Sequence, residues 1–219
     1  MRGLAAAVIS ASRRPGTPVS AMSHSFADGK PTMVDVAITA GAPIPSVLIG
    51  GNTLREGTLA SGSGGYNSIA VMPTVMDVTT TISVTVTVGA LDAAANNRAV
   101  GAGVFSADGS EGVYIRFASA SGTATLNRWT GGTETQCTSA GSQLANTGDT
   151  LTLTGTLSAG EWTWTVKKNG GSDIAALTWA DSGHAIDLPG PNPGIAFRTQ
   201  RSGSNFYSRG VTAIAATAA

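Results

Sequence analysis

Carboxylates are the first place to look for chemistry, and this chain has four glutamates, Glu56, Glu111, Glu134 and Glu161. None has an Asp or Glu two residues away on a predicted strand. Glycoside hydrolysis needs two carboxyl groups about 5–9 Å apart, and positions i and i+2 of one strand aim side chains into one cleft. Here such a pair would have to come from distant segments. No Gly-x-Ser-x-Gly elbow is present, and His24 and His184 are the only histidines, so a nucleophilic triad has little to draw on. Cys137 is the single cysteine. It excludes an intrachain disulfide and leaves zinc without a ligand set. Its plain reading is a small, partly buried strand residue, and a reactive thiol is the sharper alternative. The run Ser61-Gly62-Ser63-Gly64-Gly65 lacks the Lys-Ser/Thr ending and following helix of a phosphate-cradling loop, so it reads as a turn. The expectation is a protein without catalytic residues, metal or cofactor.

The elements are easier to read. Between Gly148 and Gly171, Leu151, Leu153 and Leu157 alternate with threonines, and after Ser158-Ala159-Gly160 the residues Trp162, Trp164 and Val166 alternate with Thr163, Thr165 and Lys167. Side chains change face at every strand residue, so this predicts an antiparallel hairpin with one dry and one wet face. Both tryptophans belong to its core side. The same alternation runs through Thr79 to Val88, where Ile82, Val84, Val86 and Val88 face inward. Further strands are expected near 34–38, 47–49, 53–59, 67–72, 100–106, 113–117, 123–129, 133–139, 174–179, 195–198 and 205–216. In the last of these the period of two links Tyr207, Arg209, Val211, Ala213 and Ala215. No segment has a sustained helical period. Short strands at turn spacings of roughly 8–12 residues predict an all-β antiparallel sandwich of jelly-roll type.

Bulk properties narrow the partners. The 219 residues carry 13 basic and 13 acidic side chains, a balance that argues against a phosphate-backbone partner, which would need clustered Lys and Arg, and that leaves little repulsion to oppose self-association. No apolar run approaches the roughly 20 residues of a membrane span. Nucleic acid and membrane are therefore not expected partners. The apolar run Leu4 to Ile9 is shorter than a signal-peptide core of about 7–15 residues, and Arg13-Arg14 follows it. Pro15, Gly16 and Pro18 forbid continued helix. Residues 1–22, with Arg2, Arg13, Arg14, Pro15 and Pro18, are read as an extended assembly arm, and residues 23–219 as the sandwich.

Residues 79–216 resemble the concanavalin A-like (laminin-G-like) jelly roll. The resemblance lies in ISVTVTV, in GAGVFSADGSEGVYIRF, in GDTLTLTGTLSAGEWTWTVKKNG and in the closing GIAFR with FYSRGVTAIA. Such domains recur in minor tail and fibre-like virion proteins of bacteriophages that infect actinobacteria, and Ser25-Phe26-Ala27-Asp28-Gly29 is similar to their aromatic-acidic opening element. The resemblance implies a structural virion protein, located in the particle, that contacts other virion proteins and forms a homo-oligomer, with a trimer the family expectation. The alternative it implies is a carbohydrate-binding adhesion module for a host-surface glycan. Lectin-type jelly rolls hold sugars in loops through Asp, Asn and an aromatic face, and calcium through Asx oxygens. Asp92, Asn96, Asn97, Asp108, Trp129 and Trp179 are the candidates here. Each has a bland alternative, as Asx residues beside glycine form turns and Trp129 at a strand end is rim or core. A groove lined by exposed Trp and Asx would favour adhesion over pure architecture.

Overall fold

The computed structural model describes residues 17–38, 45–49, 52–56, 64–91, 98–119, 122–183, 186, 188, 190–202, 204–206 and 209–219. In chain order its strands are β1 (Ala21–Ser25), β2 (Val34–Ala37), β3 (Pro45–Ile49), β4 (Thr53–Glu56), β5 (Gly64–Val71) and β6 (Thr81–Leu91). Next come β7 (Ala99–Phe105), β8 (Glu111–Ala118), β9 (Ala124–Thr130), β10 (Thr133–Ala140), β11 (Thr150–Ser158) and β12 (Glu161–Lys168). The chain closes with β13 (Trp179–Ala180), β14 (Asn192–Ser202), β15 (Ser204–Phe206) and β16 (Arg209–Ala218). Two eight-stranded antiparallel sheets result. The back sheet runs β13-β12-β11-β6-β16-β4-β3 with β1 on β16, and the front sheet runs β10-β9-β8-β7-β14-β5-β2 with β15 on β14.

The back sheet follows its alternation. Ile82, Val84, Val86 and Val88 are buried, as are Leu151, Leu153, Trp162, Trp164 and Val166 across the hairpin. Trp162 and Trp164 stack at 5.1 Å between centroids, and the Trp164 indole lies over Gly155, its register partner on β11. A Cβ at Gly155 would sit 2.5 Å from that indole, so the gap in the Leu151-Leu153-x-Leu157 stripe is the space the ring fills. On the wet face, Ser83 and Thr154 hydroxyls meet at 2.9 Å and Thr85 and Thr152 at 2.8 Å, a cross-strand ladder that steadies the β6–β11 register.

Three expectations change. Ile174 to Trp179 is not one strand but a 3-10 turn over Ala175–Leu177 followed by the two residues of β13. Small residues there leave only Leu177 to anchor the turn in the core. The period of two does not persist through β16, because register shifts near Val211 move Ile214 and Ala216 to the core while Ala215 turns outward. The shift between Val211 and Ala213 places an extra residue in β16 and flips its parity beyond that point, whereas the shift between Arg209 and Val211 places the extra residue in β6. Finally, β1 was not read from the sequence. Val19 bridges Met76, and Ala21 and Met22 pair with Thr217 and Ala216, so residues 19–22 of the expected arm lie on the sandwich. Arg2, Arg13, Arg14 and Pro15 fall outside the described residues, and Pro18 directly precedes the Val19 bridge.

Candidate functional site

The front sheet departs from simple alternation. Val113, Ile115 and Phe117 of β8 enter the main core, but Tyr114 and Arg116 on the opposite face are buried as well. That second face holds its own apolar cluster of Ile69, Val71, Phe105, Tyr114, Trp129 and Ala196. Glycines make room for it. A Cβ at Gly103, Gly112 or Gly194 would overlap the Phe105 ring, so the aromatic lies flat on three bare stretches of backbone. The β7–β8 ladder is also interrupted between Val100↔Phe117 and Gly103↔Tyr114, where a Cβ at Gly101 would strike the Ile115 carbonyl. Bare, interrupted strands bend readily, and the front sheet curls about this face.

The curl brings distant strands together. Four strands separate β5 from β10, so a flat sheet would hold them about 24 Å apart at roughly 4.8 Å per strand. Instead Asn67 Nδ2 on β5 donates to Glu134 Oε2 on β10 at 2.5 Å. The other carboxylate oxygen, Oε1, accepts from Arg116 Nη2 at 2.6 Å. Arg116 is 6% exposed, and its guanidinium carbon lies 5.5 Å from the Tyr114 ring centroid.

Beside this clasp opens a hollow of about 280 Å³ lined by Arg98, Arg116, Thr125, Gln136 and Arg198, with Ala99, Ala118, Gly122 and Thr123 completing its wall. The sheet positions each group. Thr125 is the register partner of Arg116, and Arg198 is opposite both Asn67 and Ala99. Gly65 leaves space for the Arg198 guanidinium, which a Cβ there would meet at 2.6 Å. Arg116 Nη1 and Arg198 Nε are buried and have no hydrogen-bond partner among the described residues. Burial pulls the Arg198 guanidinium below its usual pKa, and the nearby Arg116 charge adds to that effect. Burial likewise pushes the Tyr114 phenol well above its usual value.

The sequence candidates are placed elsewhere. Asp108 is occupied within its own turn, accepting from Ser110 N, Ser110 Oγ and Ser106 Oγ, and the Ser110 amide bond chiefly holds its carboxyl below the usual range. Trp129 is 6% exposed and donates its indole N–H to Gly109 O, which ties the Asp108 turn over the apolar cluster. Those two candidates thus meet each other rather than the hollow. Trp179 is half-buried and lines a separate hollow of about 260 Å³ with Arg128, Thr135, Cys137, Asp181 and Ser182. Asp92, Asn96 and Asn97 lie outside the described residues. Arg98, Arg116, Arg198, Thr125 and Gln136 were not singled out by sequence reasoning, because arginines scattered over 100 positions form no motif. The one available signal was Arg116 between Ile115 and Phe117, a charge inside an otherwise apolar strand.

No protein-family model and no curated protein matches the sequence. Solved structures do resemble the fold. A protein of unknown function from Shewanella oneidensis superposes with a TM-score of 0.55 at 13% identity, covering 94% of this chain and 89% of that one. Lectin II of Ulex europaeus superposes at 0.51 with 9% identity, covering 90% and 97%. The metal-free lectin I-B4 of Griffonia simplicifolia superposes at 0.50 with 11% identity, covering 90% and 98%. The fold is the concanavalin A-like jelly roll. At these identities the likeness concerns the course of the backbone.

Proposed function

We propose that this jelly roll is a non-catalytic carbohydrate-binding domain. The observation that carries the reading is the hollow on the curled front sheet. A protein gains nothing in folding from a water-filled recess edged by guanidinium, hydroxyl and amide groups, yet a saccharide needs convergent donors and acceptors on a preformed surface. Thr125 and Gln136 supply hydroxyl and amide partners, and the arginines supply fixed donors. The lectins that share the fold support the reading at the level of architecture. Recognition in this hollow would be polar rather than aromatic, since no aromatic side chain is among its described lining residues. The test is a glycan array with the intact protein and with Gln136→Ala and Thr125→Val. Binding that both variants weaken supports the reading, and an array without any binder sinks it.

A second reading keeps the sequence resemblance to phage minor tail proteins. In it the domain is a homo-oligomeric virion component that docks through residues 1–22 and displays the sandwich to a host-surface glycan. Its support is the resemblance and the balanced, sparse charge. Light scattering on the full chain and on a chain lacking residues 1–16 separates the cases. An oligomer that falls to monomer on truncation supports the arm-mediated role, and two monomers remove it.

A further inference from the structure

The geometry points to an acidic saccharide, one bearing a carboxylate or sulfate, as the ligand class of the front-sheet hollow, its anionic group bridging Arg116 and Arg198. This inference rests on the carbohydrate-binding reading and sharpens it.

Arg116 and Arg198 line the same hollow, Arg98 stands in its wall, and no Asp or Glu is among the described lining residues. Among the described residues Glu134 is the carboxylate paired with Arg116, and it spends Oε1 on Arg116 and Oε2 on Asn67. Two guanidinium groups therefore share one carboxylate, at a partly desolvated place where like charges repel strongly. Both arginines line the hollow, and one anion there would offset the excess charge. Planar guanidinium forks suit carboxylate and sulfate oxygens in particular.

The remaining lining explains why the anion should belong to a sugar. A free anion of a few atoms fills a small part of about 280 Å³. Thr125 and Gln136 stand beside the arginines and offer hydrogen-bonding groups without charge, the kind that hydroxyls use. The Tyr114 ring backs Arg116 from inside the apolar cluster and holds its plane in place. The site is thus preorganised by the sheet rather than by loops.

The experiment is titration calorimetry of the full chain against uronate-, sialate- and sulfate-bearing oligosaccharides, their carboxyl-reduced or desulfated counterparts, and sodium sulfate alone. Arg198→Gln is the principal variant, since Arg198 is only half-buried. Arg116→Gln is the second, used with a thermal melt to check folding. The expected result is acidic-glycan binding that weakens with added salt and falls roughly tenfold or more in Arg198→Gln, the loss of about one charge-assisted contact. Neutral counterparts should bind far more weakly. Equal binding of acidic and neutral glycans overturns the inference and leaves the carbohydrate reading standing. Binding of sulfate alone as tightly as of any glycan, lost in Arg198→Gln, upholds the anion site and overturns the saccharide. No binding by any probe overturns both.

Discussion

Asn67 and Glu134 lie on strands with four others between them, yet their side chains are hydrogen-bonded at 2.5 Å. This contact records how far the front sheet curls, and it fixes the recess in which Arg116 and Arg198 stand. Glu134 also neutralises Arg116, whose side chain is 7% exposed against 21% for Glu134. Replacing Glu134 with Ala leaves a buried guanidinium without its counter-charge. The expected cost is about 3 kcal/mol, the low end for breaking a buried pair, because one partner is part-exposed. Urea unfolding of Glu134→Ala measures it, and a loss under 1 kcal/mol would mean that the clasp does not hold the curl.

Phe105 rests on Gly103, Gly112 and Gly194. Gly112→Ala is expected to destabilise by about 1–3 kcal/mol through overpacking. If the ring is the cause, Phe105→Leu should recover part of that loss in the double variant. Additive losses would place the strain in the backbone instead.

Asp149 locks the entry of the long hairpin. It accepts from Asn146 N and Asn169 Nδ2 and pairs with Lys168 Nζ at 2.7 Å. Burial pushes its carboxyl up, but the combined bonds from Lys168, Asn169 and Asn146 outweigh burial and leave it below the usual value. A depressed folded-state pKa stabilises above the unfolded value of about 3.9, and that stability is lost as pH falls through the folded value. Urea midpoints measured from pH 6 down to pH 2 should therefore drop below about pH 4. Asp149→Asn should start lower and show a flatter acid limb.

Residues 19–22 are part of the sandwich through the Val19–Met76 bridge and the β1–β16 pairs. A chain starting at Ser23 should consequently melt several degrees below one starting at Thr17, since about 1 kcal/mol shifts Tm by roughly 2–4 °C at this size. Equal melting temperatures would show that this stretch adds no stability.

Cys137 is half-buried on β10, and burial pushes its thiol above the usual value. Thiolate is the reactive form, so disulfide-exchange labelling at neutral pH should be slow in the folded protein and fast in urea. Fast labelling of the folded chain would restore the reactive-thiol reading.

Local alternation alone determined the β6–β11–β12 part of the back sheet. In 82–88 and 151–166 each Ile, Val, Leu or Trp sits one strand step from a Thr or Ser, and burial of one face follows from the period of two. The same reasoning found the strands around Val113 and Trp129 and the turn at Asp108. It could not find the second buried face of the front sheet, because Tyr114 and Arg116 look like a wet face until the sheet curls over them. Nor could it anticipate the parity flip in β16, since a bulge depends on the partner strand rather than on the residues of β16. The candidate site belongs wholly to this second kind. Arg116, Thr125, Gln136 and Arg198 come from β8, β9, β10 and β14, and Arg98 directly precedes β7; they lie up to 100 positions apart in sequence and meet only when those neighbouring strands are side by side. Strand formation is a nearest-neighbour property of the chain, whereas a recess between strands exists only once the whole sheet has closed.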